Sequence, residues 1–117
     1  MGEKRTFRYK QVIILRNDIE MSIGKAAIQA AHGSIESYLH SDPYMRDMWY
    51  NEGMKKVLLG CRGHLLKDFP FPHTIIIDFG LTEFGEETVT GIALNIDEST
   101  KIDAITKGLK LYNGYIK

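Results

Sequence analysis

Short, wholly apolar runs alternate along the chain with longer stretches that are apolar on one side only. The first run, Val12-Ile13-Ile14-Leu15, lies within a predicted strand from Tyr9 to Arg16, and its unbroken character suits a strand buried on both faces. Asn17-Asp18 breaks it. Ser22 then stands as an N-cap, and Ile23 to Leu39 reads as a helix whose alanines (Ala26, Ala27, Ala30, Ala31) favour helix and allow close packing on a sheet. Ser41-Asp42-Pro43 opens a second helix, to about Asn51, with Gly53 as its stop. Lys56 to Cys61 is a second strand. Thr74 to Asp78 is a third, fully apolar at Ile75-Ile76-Ile77. Between them, Gly63 to Phe69 admits at most a short helix before Pro70 and Pro72. Thr88 to Asn95 is a fourth strand, rich in Thr and Val, and Ser99 caps a last helix to about Lys107, closed by Gly108. Strands and helices alternating in this way predict one α/β layered domain over residues 1–117, with 1–7 a flexible tail.

Charge narrows the function classes. Fifteen Lys and Arg balance fifteen Asp and Glu, so the formal net charge is zero. A constitutive nucleic-acid coat protein is usually strongly basic, which disfavours that class. An enzyme that releases nucleic acid after each turnover manages with a local basic patch. The one cysteine, Cys61, rules out an intramolecular disulfide and reads as buried filler in a reducing compartment. The charged start, Met1-Gly2-Glu3-Lys4-Arg5, and the short first apolar run predict neither a signal peptide nor a membrane span, hence a cytoplasmic protein.

Three local signals carry candidate chemistry. Lys25, Gln29 and His32 are spaced i, i+4, i+7 and so share one helix face. Lys25 also lies in the first turn beside Gly24, where backbone N–H groups and an ammonium suit an anion or a developing oxyanion. A solvated polar stripe gives the same spacing. Asp78-Phe79-Gly80-Leu81-Thr82 places a carboxylate and a hydroxyl at the end of a buried strand, which serves a site or a turn cap equally. Thr88 and Thr90 fall on the same face of their strand by alternation. His32, His40, His64, His73 and Cys61 lack metal-ligand spacing, and there is no Gly-rich phosphate loop or nucleophile elbow. Trp49 and Tyr50 on the second helix suit core or subunit contact better than base stacking.

Taken in order, these segments form one set: Lys10-Gln11-Val12-Ile13-Ile14; Met21-Ser22-x-Gly24-Lys25-x-Ala27-x-Gln29-x-x-His32; Trp49-x-x-x-Gly53-x-Lys55-Lys56-Val57; Asp78-x-Gly80-Leu81-Thr82-Glu83; Thr88-Val89-Thr90; and Ile105-Thr106-x-x-Leu109-Lys110-Leu111. The set resembles the archaeal/eukaryotic (second) class of peptidyl-tRNA hydrolases, from about Tyr9 to Leu111. The resemblance implies a three-layer α/β/α sandwich with a mixed four-stranded sheet of order 2-1-4-3. It implies hydrolysis of the ester joining a peptide to the 3′ ribose of tRNA, with peptidyl-tRNA as partner and no metal or organic cofactor. The family's catalytic residues fall on Lys25, Asp78, Thr82 and Thr90, with Gln29 and His32 beside them. Gly24, Lys10, Arg16, Lys55 and Lys56 are further candidates for holding the substrate. Lys25 then supplies charge at the carbonyl or the leaving oxygen, while Asp78 either orients it or takes a proton from water.

This chain departs from the family pattern in three places. Phe79 stands where the family usually has Ala. Gly85-Glu86-Glu87 replaces a Pro-Gly turn. Only Arg62 to His73 link the second and third strands, where relatives have a full helix. A catalytically degenerate member that binds tRNA or a protein is the competing reading, and the intact Lys25, Asp78, Thr82 and Thr90 favour the enzyme. Further expectations follow. The Lys25 ammonium and Asp78 carboxylate should lie within about 6 Å and stay partly accessible. Thr82 and Thr88 or Thr90 should line the same depression, with Gln29 and His32 as its wall. Leu65, Leu66, Phe69 and Phe71 should cover the sheet beneath the short link, or a second subunit should, which predicts a homodimer through this region or the Trp49 helix.

Overall fold

The computed structural model describes residues 7–80 and 83–117. Its elements, in order, are β1 (Tyr9–Arg16), α1 (Ile23–His40), α2 (Pro43–Glu52), β2 (Lys56–Cys61), a 3-10 turn (Gly63–Leu65), β3 (His73–Asp78), β4 (Thr88–Leu94), β5 (Asp97–Glu98), α3 (Ser99–Thr106) and β6 (Lys110–Leu111). The flexible tail expected at 1–7 lies outside the described residues except for Phe7. That residue is held: its carbonyl accepts from the Ser99 hydroxyl at 2.9 Å.

The sheet has six strands rather than the expected four. It runs β3-β4-β1-β2-β6, with β5 pairing β1 off this path. β1 and β2 are parallel, β4 is antiparallel to β1, and β3 is antiparallel to β4, so the sheet is mixed. The two added strands are two residues each, too short for a period-two pattern to register.

The apolar run of β1 is buried on both faces. Val12 and Ile14 point into one cluster with Leu59, Cys61, Leu66, Ile92, Leu94 and Ile102, covered by α3 and the 62–73 link. Ile13 and Leu15 point the other way, into a cluster with Ala26, Ile76 and Ala93 beneath α1. In the link, Leu66 is buried, and Phe69 and Phe71 pack against the first cluster. Leu65, expected to join them, is half exposed.

α1 approaches the sheet through a stripe of small or polar residues, Ala26, Gln29, Gly33 and Ser37. A Cβ on Gly33 would stand 2.7 Å from Ile76 Cδ1, so the glycine sets how closely the helix lies. Polar links fix the register of helix on sheet. Gln11 and Ser34 exchange two bonds, and the Ser37 hydroxyl donates to the Leu94 carbonyl at 2.7 Å. Each satisfies a buried polar group that would otherwise be costly.

Candidate active site

The start of α1 and the end of β3 meet at one edge of the sheet. Ser22 caps the helix as expected, its hydroxyl accepting the Lys25 N–H at 3.1 Å. The Lys25 side chain then reaches over the end of β3, and Nζ donates to Asp78 Oδ1 at 2.7 Å. The pair is more enclosed than the sequence suggests, with side chains 9% and 8% exposed.

Asp78 is supplied with further donors. The Gly80 N–H donates to Oδ2 at 3.1 Å, closing a tight turn. This requires glycine: Gly80 has φ +80°, and a Cβ there would lie 2.5 Å from the Glu86 backbone. Gln29 Nε2 approaches Oδ1 at 3.4 Å. The Lys25 ammonium, first, and the Gly80 N–H hold the Asp78 carboxyl below its ordinary range, against the opposing effect of burial.

Behind Gln29 stands Thr90. Its hydroxyl donates to Gln29 Oε1 at 2.7 Å, and it is fully buried. A local irregularity brings it there. Ile76 pairs with Gly91 and Ile77 with Val89, so Thr90 is the extra residue of a β-bulge. Val89 lies with Ile75 and Ile92 on the opposite face, while Thr88 pairs with Asp78, so Thr88 and Thr90 both fall on the α1 side as expected. Thr88 donates to the Glu86 carbonyl at 3.1 Å.

Glu83 completes the arrangement, and spacing gave no sign of it. Its carboxylate accepts from the Ser22 N–H at 3.1 Å and from the Ser22 hydroxyl. These bonds, the hydroxyl's foremost, lower its pKa. The helix end proposed as an anion site therefore already carries an anion of this chain. Glu83 also ties the segment after β3 to the helix that bears Lys25. Gly24, Lys25, Ile28 and Glu83 line a hollow of about 260 Å³ there. Phe84 adds its ring, 5.8 Å from Lys25 Nζ. Thr82 lies outside the described residues.

The other candidates divide. His32 is exposed and lines a second hollow of about 260 Å³ with Glu36, Ile75, Ile76, Ile77 and Phe79. Lys10, Lys55 and Lys56 do not flank the site, contrary to expectation. Lys56 pairs with Gln11, whereas the site lies level with Leu15 and Arg16, about five residues and roughly 17 Å along the strands. Lys10 pairs with Asp103, Lys55 covers the Phe7 ring and Lys56 the Trp49 ring. Arg16 is at the correct end, but it lies with Gly63, His64, Leu66 and Lys67, against the opposite face from α1. It is clamped to Asp18 at 3.0 and 3.1 Å, and Asp18 also accepts the Gly63 N–H. Among the described residues, no group of three or more His, Cys, Asp or Glu comes together as a metal would need, and no helix is long and apolar enough to cross a membrane.

Comparison with known proteins adds an independent line. Residues 9–112 match the sequence profile of the family described as Peptidyl-tRNA hydrolase PTH2. The chain is 38% identical to a peptidyl-tRNA hydrolase of Methanococcus vannielii over 114 residues, covering 88% of this chain and 98% of the relative. It is 39% identical to one of Staphylothermus marinus over 118 residues, covering 92% and 98%. Among solved structures, a protein of unknown function from Agrobacterium tumefaciens superposes with TM-score 0.58 at 16% identity, covering 92% of this chain and all of that one. That last likeness concerns the fold alone.

Proposed function

The chain belongs to the PTH2 family of peptidyl-tRNA hydrolases, and on that premise we propose that its Lys25–Asp78 pair is where the ester is cleaved. The enzyme hydrolyses the bond between a peptide and tRNA. The observation that carries the site assignment is the 2.7 Å contact between a lysine and an aspartate from distant parts of the chain, both nearly buried. Structural needs alone seldom enclose such a pair.

Water adds to the ester carbonyl and negative charge develops on the carbonyl oxygen; the bond to the 3′ oxygen then breaks, and the proton given up by the water ends on that departing oxygen. Lys25 stabilises the charge on the carbonyl oxygen, or the charge on the departing 3′ oxygen, from a fixed position in a low-dielectric setting. Asp78 holds the ammonium in place. Its lowered pKa supports the orienting role over that of general base, the two roles the sequence leaves open. Gln29 and Thr90 are positioning residues: Thr90 sets the Gln29 amide, and Gln29 turns its N–H toward Asp78. Thr82 keeps the catalytic role that the family resemblance implies.

The finer readings rest on the same premise. Residues 9–112 act as one catalytic unit, with α1 on one face of the sheet and α3 on the other making three layers. The acceptor end of tRNA enters at the Lys25–Asp78 edge. The protein works in the cytoplasm. A second copy of the chain occupies the apolar groove of about 500 Å³ between α1, α2 and β2, which Ala30, Ala31, Tyr50 and Leu58 help to line. Sedimentation at increasing concentration tests this dimer. The function is tested by incubating the protein with N-acetyl-aminoacyl-tRNA without added metal. Release of the acyl group, with little action on unblocked aminoacyl-tRNA, is the expected result. No release would return the chain to the degenerate, binding-only reading.

A further inference from the structure

β3 is the outer strand of the sheet on the side of the site, and it ends at Asp78. The Asn95 N–H donates to the Pro72 carbonyl, which fixes the phase of the β3–β4 ladder. Thr74 and Ile76 then turn their main-chain groups toward β4, and the approach of the Thr90 hydroxyl to the Ile76 carbonyl agrees. In an antiparallel ladder the residues between point the other way. The N–H and C=O groups of His73, Ile75 and Ile77 therefore face outward, where no strand among the described residues meets them. Exposed edges are normally guarded by lysine, proline or inward charge. This one shows Ile75, 51% exposed, and Phe79, 70% exposed. The hollow lined by His32, Glu36, Ile75, Ile76, Ile77 and Phe79 runs beside it.

We propose that the free edge of β3 receives the peptide part of peptidyl-tRNA as an added strand. The inference rests on the reading that the ester is cleaved at Lys25–Asp78. Its polarity then follows. The ester is at the peptide's C-terminus, and β3 runs toward Asp78, so the peptide lies parallel to β3 with its N-terminal side toward His73. Pairing through the main chain is indifferent to side-chain identity, which suits an enzyme that meets peptides of any sequence. Six residues of β3 offer roughly 20 Å, enough for about five peptide residues. Only alternate peptide N–H groups reach the edge, because only alternate residues of β3 face it.

The test uses the unaltered protein and three kinds of substrate: N-acetyl-aminoacyl-tRNA, an N-acetyl-pentapeptidyl-tRNA, and pentapeptidyl-tRNAs with one N-methyl group placed at each position in turn. KM should fall about tenfold from one residue to five, as two or three net hydrogen bonds would give, with kcat little changed. N-methylation should reverse most of that gain at alternate positions and spare those between. A KM that ignores length, or an N-methyl effect without alternation, would overturn the proposal. Failure to cleave even N-acetyl-aminoacyl-tRNA would instead sink the hydrolase reading on which it stands. Hydrogen exchange gives a second readout. A pentapeptide amide-linked to 3′-amino-adenosine should slow the Ile75 and Ile77 amides. Protection that rises with protein concentration in the absence of that probe would assign the edge to a second copy and refute the inference.

Discussion

The hydroxyl of Thr90, fully buried on a bulge of β4, donates to Gln29 Oε1 at 2.7 Å. Gln29 carries the link on to Asp78. Thr90→Val keeps the shape and removes the donor. It should cost about 1–3 kcal/mol by leaving a buried acceptor unmade, and lower kcat with little change in KM. Thr90→Ser should restore most of the rate. If Val and Ser behave alike, the hydroxyl is not what matters.

Gly80 holds the turn that aims its N–H at Asp78. Gly80→Ala puts a Cβ where φ is +80° and the Glu86 backbone is 2.5 Å away. A loss of about 1–3 kcal/mol in chemical denaturation is expected from the strained backbone, together with a slower reaction. A variant as stable and active as the parent would show that the turn opens without consequence.

Asp78 contributes to stability in a pH-dependent way. Its carboxyl titrates below the ordinary value of 3.8 in the folded state because Lys25 donates to it. The contribution is therefore complete above about pH 4, and is lost as pH falls through the folded pKa. Acid unfolding of the parent should steepen below pH 4 relative to Asp78→Asn. Parallel acid limbs would contradict the shift.

Cys61 is buried beside the apolar cluster under α3, and burial pushes its thiol up to about 11. At pH 8 a small alkylating reagent should leave it unmodified in the native protein and modify it fully in denaturant. Rapid labelling of the native protein would show that this side of the sheet opens.

The sequence discloses elements better than their meeting points. β1 is readable because Val12-Ile13-Ile14-Leu15 is apolar without a break, and Ser22 because a helix start needs such a cap. Lys25, Gln29 and Asp78 stand out as polar groups in otherwise apolar or alanine-rich segments. Glu83 does not, since a carboxylate in an acidic loop looks like solvated surface until the fold sets it on Ser22. Thr90 reads as ordinary strand propensity, because nothing local announces a bulge. Lys10, Lys55 and Lys56 mislead for a related reason. Position along a strand is legible, but which end of the sheet holds the site depends on β1 and β3 both running toward it. β5 and β6 owe their existence to neighbours rather than to their own two residues.

The central claim is that Lys25, held by Asp78, stabilises charge during ester hydrolysis. Saturation kinetics of Lys25→Ala on N-acetyl-aminoacyl-tRNA, without added metal, test it most directly. The expected result is a fall in kcat of about 10²–10³-fold with KM nearly unchanged. The thermal midpoint should also drop, since the change strands a nearly buried carboxylate, so the assay belongs well below it. A folded Lys25→Ala protein that retains the parent's kcat would contradict the account.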